Sequence, residues 1–419
     1  MRFAIVGTGA RAQMWARELA LHGDIVALAD INPARVAAFR RSVDAPGFDA
    51  ADVPAMLTKE KVDTLLVSTV DATHDMYIVA GLEAGCDVIT EKPMTVDAPG
   101  CLRILEAQRR TGKRVTVAFN YRFHPVAQQV RELLPQIGEI GSVHFEWLLD
   151  VRHGADYFRR WHRDKAQSGG LLVHKATHHF DLVNWWLNGS PEQVTAHGRL
   201  FFYGEQGRRH GYARDYERAH AAPGAVGDPF ALHLTETPVL KELYLDAEQH
   251  DGYHRDLNVF GPGVSIEDDL AVLVRYNTGA TMSYHLTAYA PWEGYRIAFN
   301  GSRGRLELDM VDSDHVAPGG SGWVKGHHGA FASPEGGGVS LRLRRFWEPP
   351  IEVPVVPYER EGHGGADSRM VHAICAGQGA ATALDGARSL LTGLAANESI
   401  ATKESVRAHD LLDLTEWES

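Results

Sequence analysis

The sequence predicts an α/β Rossmann domain built on a parallel sheet, followed by an α+β domain with a large, mainly antiparallel open sheet. Three observations predict it. Residues 1 to about 120 alternate short apolar runs with helical stretches, the pattern of βαβ units. The glycine-rich turn Gly7-Thr8-Gly9 stands between the first run and the first helical stretch. After Asn120 the runs lengthen and alternate apolar with polar residues, as antiparallel strands joined by hairpins do.

In chain order, strands are expected at Phe3–Val6, Ile25–Ala29, Thr64–Ser68, Val88–Thr90 and Val115–Phe119, and then at Ser142–Val151, Leu270–Tyr276 and Ala280–Ala288. The last two are joined through Asn277-Thr278-Gly279, a hairpin signal. The stretch 199–263 reads as a loop rich in Arg, His, Tyr and Gly, and 317–340 carries Gly319-Gly320 and Gly336-Gly337-Gly338; both are expected to be lids or surface excursions. Residues 366–398 read as helices. The domains are placed at 1–121 and 122–419, the C-terminal helices packing back on the first.

Bulk composition excludes several classes. A chain of 419 residues exceeds one ordinary core, and 44% hydrophobic with 23% charged residues is a globular composition. A net charge of −12 argues against a nucleic-acid or anionic-membrane partner. Cys86, Cys101 and Cys375 are widely spaced and odd in number, which suits a reducing compartment and gives no disulfide framework. The start MRFAIVGTGA has no secretory pattern and no run of about eighteen apolar residues follows, so a cytoplasmic protein is expected.

The first chemistry lies in Val6-Gly7-Thr8-Gly9-Ala10-Arg11-Ala12, which follows a strand and opens a helix. Gly7 makes the tight turn, Gly9 lets the backbone approach a pyrophosphate, and the helix N-terminus offers N–H donors and partial positive charge through Thr8, Ala10 and Arg11. Asp30 ends the second strand, where a carboxylate binds ribose hydroxyls and repels a 2′-phosphate. The cofactor expected is NAD; NADP is disfavoured, although Arg35 would tolerate the extra phosphate.

Thr90-Glu91-Lys92-Pro93 ends a later strand. With the fingerprint, it resembles the Gfo/Idh/MocA oxidoreductases, whose Glu-Lys-Pro motif lies beside the nicotinamide, and the resemblance covers essentially the whole chain. It implies that Glu91 and Lys92 stand at the cofactor, that Lys92 hydrogen-bonds the reacting hydroxyl, and that Lys92–Pro93 is cis. Ser68–His74, with Ser68, Thr69 and His74, and Asn120-Tyr121-Arg122-Phe123-His124-Pro125 are similar to other family pieces. They place Asn120 at the cofactor and Arg122 near the substrate or in a structural role. Asn300–Arg305 is a further piece.

Family members typically read Gly-Gly-x-x-x-Asp-x-x-x-His, whereas Gly169–His178 puts His174 where the Asp is expected and retains His178. Residues four apart share a helical face, so both imidazoles are expected in one cleft. His178 is the expected acid/base, Lys92 the stabiliser of a developing alkoxide, and His174 a third catalytic group. Lys175 and His179 occupy a neighbouring face and are expected to bind substrate or another subunit. A metal reading of His174, His178 and Asp181 is the poorer one, since the family chemistry needs no metal; Asp181 is expected to orient His178 or to serve a helix contact. Tyr157-Phe158-Arg159-Arg160-Trp161-His162-Arg163 mixes aromatic and cationic groups, suited to a pyranose face and an anionic substituent, with Tyr157, Arg160, Trp161 and His162 as candidates. Comparable stretches are Tyr253–Asp256, Tyr289–Tyr295 and Gly362–Asp367, the last offering His363 to the substrate.

The resemblance implies NAD-dependent hydride transfer at a secondary hydroxyl of a sugar or polyol. Two other readings stand beside it. One is a redox-neutral, NAD+-dependent glycoside hydrolase acting by transient C3 oxidation, elimination, water addition and re-reduction; the other is a ligand-sensing regulator. The partners expected are a small carbohydrate, with the Arg/His-rich segment hinting at an acidic one such as a uronate or sulfosugar, and further copies of the chain in a homodimer or homotetramer.

Overall fold

The computed structural model describes residues 1–316, 336–359 and 362–417, with the backbone alone at 362 and 363. Most of the 317–340 excursion therefore lies outside the described residues, as does the His363 side chain; Gly338 opens a strand.

The first domain carries β1 (Arg2–Val6), β2 (Asp24–Asp30), β3 (Gly47–Asp49), β4 (Thr64–Val67), β5 (Asp87–Thr90) and β6 (Val115–Val117). These pair in parallel in the order β6-β5-β4-β1-β2-β3. β1 and β4 are buried along nearly their whole length because helices cover both faces of such a sheet. The five expected strands are present. β3 was not expected, since its three residues, Gly-Phe-Asp, carry no apolar run to announce it.

The second domain contains β7 (Ile140–Asp150), β8 (Pro191–Arg199), β9 (Asp269–Tyr276), β10 (Thr281–Ala290), β11 (Glu293–Gly301), β12 (Gly304–Ser313), β13 (Gly338–Arg345) and β14 (Ile351–Glu352). Two short late strands follow, β15 (Ala381–Thr382) and β16 (Val406–Arg407). β16 joins the second sheet, whose order is β14-β13-β12-β11-β7-β10-β9-β8-β16. Pairing is antiparallel throughout except between β7 and β10, which run parallel. Gly279, at φ +86°, makes the expected hairpin between β9 and β10. Alternation is regular in β10, whose burial reads exposed-buried along its first six residues, with Met282, Tyr284 and Leu286 turned to the core.

The C-terminal segment makes contacts with elements of the first sheet's domain. β15 pairs antiparallel with β6 at the sheet edge, and the helix Ala366–Cys375 packs on the helix Ala10–Leu19. The helix Ala383–Thr402, opened by a Thr382/Asp385 capping box, lies between the domains against β8 and the helix Thr177–Leu187. Residues 366–391 thus touch elements of both sheets' domains.

Candidate active site

Gly7 turns the chain at the end of β1 with φ +87°, and a Cβ there would stand 2.5 Å from the Ser68 carbonyl oxygen. Only glycine fits, which is what a loop bringing its backbone against a pyrophosphate requires. Asp30, at the end of β2, accepts from the Thr8 N–H at 2.7 Å and from the Asn32 N–H at 2.9 Å. This fixes the carboxylate at the mouth of the loop. These residues fit a dinucleotide: a glycine cradle, a helix N-terminus above it, and an acidic group at the ribose position.

From this loop a single cleft of about 490 Å³ runs to the second domain. Gly7, Gly9, Ala10, Arg11, Asp30, Ser68, Thr69, His74, Glu91, Lys92 and Asn120 line its first half, and Tyr157, Arg160, Trp161, His162, His174, Lys175 and His178 its second. Of the residues expected at the cofactor, Thr8 alone is turned away to hold Asp30. Arg11 is clamped between Glu91 and Asp367, donating to the latter at 2.9 and 3.2 Å, and Asp367 also accepts from the Asn120 amide at 2.9 Å. Burial alone would raise the Glu91 carboxyl, but Arg11 and the Trp15 indole hold it below its ordinary value. His74 faces the Pro93 carbonyl at 2.8 Å and so braces the turn that carries Lys92.

Lys92–Pro93 is cis, as the resemblance implies. The Lys92 ammonium donates to the His174 carbonyl at 2.9 Å and lies 3.4 Å from its Nε2, while His174 Nδ1 lies 2.5 Å from Asp71 Oδ2. His174 thus stands between a carboxyl and an ammonium. Burial, reinforced by Lys92, Arg160 and Lys175, pushes its pKa well below the ordinary histidine value, so the ring is neutral. Burial also lowers Lys92 from 10.5, against the opposing fields of Asp71 and Glu91. Asp71, in the turn after β4, was missed: a lone acid in a short 3-10 turn has no local signal, and only its 103-residue-distant contact with His174 marks it.

His178, on the helix Thr177–Leu187, stacks on Tyr121 at a ring separation of 4.4 Å and faces the cleft. Lys175 also faces the cleft, 3.2 Å from the Tyr121 hydroxyl, and at 5% exposure it has no reach to a second subunit.

For Arg122 and Asp181 the structure shows the second of the two roles expected of each, and two further expectations are corrected. Arg122 does not line the cleft: it forms a buried two-pronged pair with Asp181 at 2.6 and 2.8 Å and reaches Asp385 at 3.3 Å, so it ties the domain crossing to two helices. Asp181 is consequently committed to Arg122 and does not orient His178. His179 is fully buried, stacked on Trp147 at 3.8 Å with Nδ1 2.7 Å from the Tyr284 hydroxyl, and belongs to the core. Tyr295 packs on the other face of that core, 4.7 Å from Trp147, which removes the Tyr289–Tyr295 stretch from the candidates.

The 199–263 segment is not a plain loop. Short helical turns carry it across the cleft, where Tyr244, Asp251, Tyr253 and Arg255 complete the lining. The Tyr244 hydroxyl accepts from the Ala10 N–H at 3.2 Å, the Asn32 amide donates to the Ala247 carbonyl at 2.9 Å, and Asp251 pairs with Arg35. The segment is therefore a strap laid over the dinucleotide loop.

Among the described residues, no group of three or more His, Cys, Asp or Glu side chains is arranged to hold a metal ion, and no helix is long and apolar enough to cross a membrane.

Comparison with known proteins agrees with this geometry. YteT of Bacillus subtilis (strain 168), named as an oxidoreductase, is 33% identical over 420 residues, covering 94% of this chain and 93% of its own. Inositol 2-dehydrogenase of Acidothermus cellulolyticus is 28% identical over 62% of this chain and 70% of its own. The WlbA dehydrogenase of Bordetella pertussis, solved with NADH and UDP-GlcNAcA, shares the fold with a TM-score of 0.64 at 19% identity, covering 97% of both chains. The model of the oxidoreductase family NAD-binding Rossmann fold matches residues 1–119, and that of the family's C-terminal alpha/beta domain matches residues 131–406. With the glycine cradle, Asp30 and the Glu91-Lys92-Pro93 turn in place, the chain is an NAD-dependent oxidoreductase belonging to the Gfo/Idh/MocA family.

Proposed function

We propose that the protein is a dehydrogenase acting on a secondary hydroxyl of a sugar or sugar derivative. The observation that carries this reading is the position of Lys92, at the junction between the dinucleotide half of the cleft and the half lined by Tyr157, Trp161, His162 and His178. NAD+, when bound, supplies the acceptor for the hydride leaving the carbinol carbon. The chain's own residues do the rest. Lys92 donates to the substrate oxygen and stabilises the alkoxide character that develops there. His178 takes the hydroxyl proton. His174 and Asp71 position the ammonium, the neutral imidazole offering Nε2 to Lys92 while Nδ1 faces the carboxyl. Trp161, stacked on His162 at 3.6 Å, and Tyr157, 3.1 Å from His153 Nε2, form an aromatic wall suited to a sugar ring. The inositol 2-dehydrogenases among the relatives support a polyhydroxylated substrate.

The partner proposed besides substrate is a second copy of this chain. The outer face of the second sheet supports it: His144, Leu273, Ser283, His285 and Arg296 border a shallow depression of about 910 Å³ there.

The test is to incubate the protein with NAD+, free sugars and aryl glycosides, following NADH and aglycone together. NADH accumulating in step with sugar oxidised supports the dehydrogenase. Aglycone release without net NADH would replace it with the redox-neutral hydrolase, and dinucleotide binding without any turnover would favour the regulator.

A further inference from the structure

Across the cleft from Lys92 the charges do not balance. Asp156 is surrounded by Arg160, whose Nε is 3.3 Å from Oδ2, and by Arg255 and Arg159, 3.7 and 4.0 Å from Oδ1. The last two separations are beyond hydrogen-bond range, so Asp156 offsets their charge without occupying their donors. Burial would raise this carboxyl, yet the three guanidinium groups hold it down to about 2. Arg159 is engaged elsewhere, donating to the Phe230 carbonyl at 3.2 Å, and does not line the cleft. Arg160 and Arg255 do line it, and the Nε of each is buried without a hydrogen-bond partner among the described residues. Arg255 is 2% exposed, its guanidinium 4.8 Å from the Tyr244 ring centroid, while Arg160 lies 3.3 Å from His162 Nε2. His162 in turn packs edge-on against His174 at 4.1 Å, one residue away from the Lys92 ammonium.

A buried guanidinium group, that of Arg255, and a part-buried one, that of Arg160, each with an unpartnered Nε, face the cleft only partly neutralised and are stable when an anion completes them. Their planar forks match a carboxylate better than a spherical charge. We propose that Arg160 and Arg255 form a carboxylate-binding subsite, so that the substrate is an acidic sugar of the uronate class, held by its carboxylate on the strap side while a ring hydroxyl faces Lys92. The part concerning Lys92 rests on the dehydrogenase reading; the subsite does not. Arg255 comes from the strap, so acid recognition and closure of the cleft share one element.

The experiment is calorimetric titration of the full chain with NAD+ present, using D-glucuronate, D-galacturonate and D-mannuronate against their parent hexoses, uronamides and hexose 6-phosphates. At least one uronate is expected to bind about 10- to 100-fold more tightly than its hexose and its amide, the range for losing a charge-assisted hydrogen bond. Arg255→Met is expected to erase that preference, and Arg255→Lys to restore part of it. The amide comparison uses unaltered protein, so it stands even if a variant fails to fold. Equal affinity for acid and amide, absence of binding by every uronate, or tighter binding of a 6-phosphate would overturn the subsite. Tight uronate binding with no NADH formed would leave the subsite and sink the dehydrogenase instead.

Discussion

The Lys92 ammonium lies 2.9 Å from the main-chain carbonyl of His174 and 3.4 Å from the Nε2 of the same residue. One residue thus holds the amine through both backbone and side chain, and Asp71 holds the imidazole from behind. The family's usual Asp at position 174 would place a carboxyl beside Lys92; here the carboxyl stands one ring further back.

In the proposed mechanism Lys92→Ala removes the donor to the substrate oxygen. The expected loss in kcat/KM is about 100- to 1000-fold, the range for deleting one preorganised donor. Calorimetric NAD+ affinity is expected to change by less than about threefold, under 0.7 kcal/mol. Equal losses in cofactor binding and turnover would show Lys92 to be structural.

Asp71→Asn tests the relay through pH. Lys92 acts as an ammonium, so kcat/KM falls as pH rises through its pKa, which burial has brought below 10.5. Burial raises the Asp71 carboxyl well above its ordinary value, so it ionises, and its field on Lys92 grows, only as pH rises toward that limb. Removing it lowers the Lys92 pKa further, and the alkaline limb of the pH–rate profile is expected to move to lower pH. An unmoved limb would detach Asp71 from Lys92.

Gly7→Ala places a Cβ 2.5 Å from the Ser68 carbonyl oxygen at a φ of +87°. The loop must shift, with an expected cost of about 1–3 kcal/mol in stability and a measurable loss of NAD+ affinity. Thermal melting with and without NAD+ checks both.

Arg122→Met leaves Asp181 buried without its partner, and an expected destabilisation of about 3–5 kcal/mol follows. Burial, outweighing Arg122, already lifts the Asp181 pKa to about 6; in the variant it rises further. A raised carboxyl pKa contributes stability that is present at low pH and lost as pH rises through the folded value. The deficit of the variant is therefore expected to be smaller at pH 5 than at pH 8 in denaturant titrations. The double change Arg122→Met/Asp181→Leu is expected to recover most of it.

What was legible in the sequence was local. Periodicity along single strands placed β1, β2, β4 and β5, because each buries on its own pattern, and the Gly7 turn and Asp30 follow from their position at strand ends. The Glu91-Lys92-Pro93 turn and the pair His174 and His178 were singled out through their resemblance to the family's motifs, and the structure brings them to the same cleft. Arg122 and Asp181 were left with two roles each because nothing local tells a buried ion pair from a ligand contact; the pairing spans 59 residues and is visible only when both helices are docked.

The sequence by itself determined the fold class and the dinucleotide loop, since these rest on contacts within one strand, turn or helix, and it singled out the Glu91-Lys92-Pro93 turn through its resemblance to the family. Tertiary structure alone decided that Asp71 backs His174, that Tyr244 and Arg255 arrive from the strap, and that β15 closes the edge of the first sheet. Those contacts join residues roughly 100 to 260 positions apart. Burial and charge select them only after the chain has closed, so no short window of sequence carries their signal.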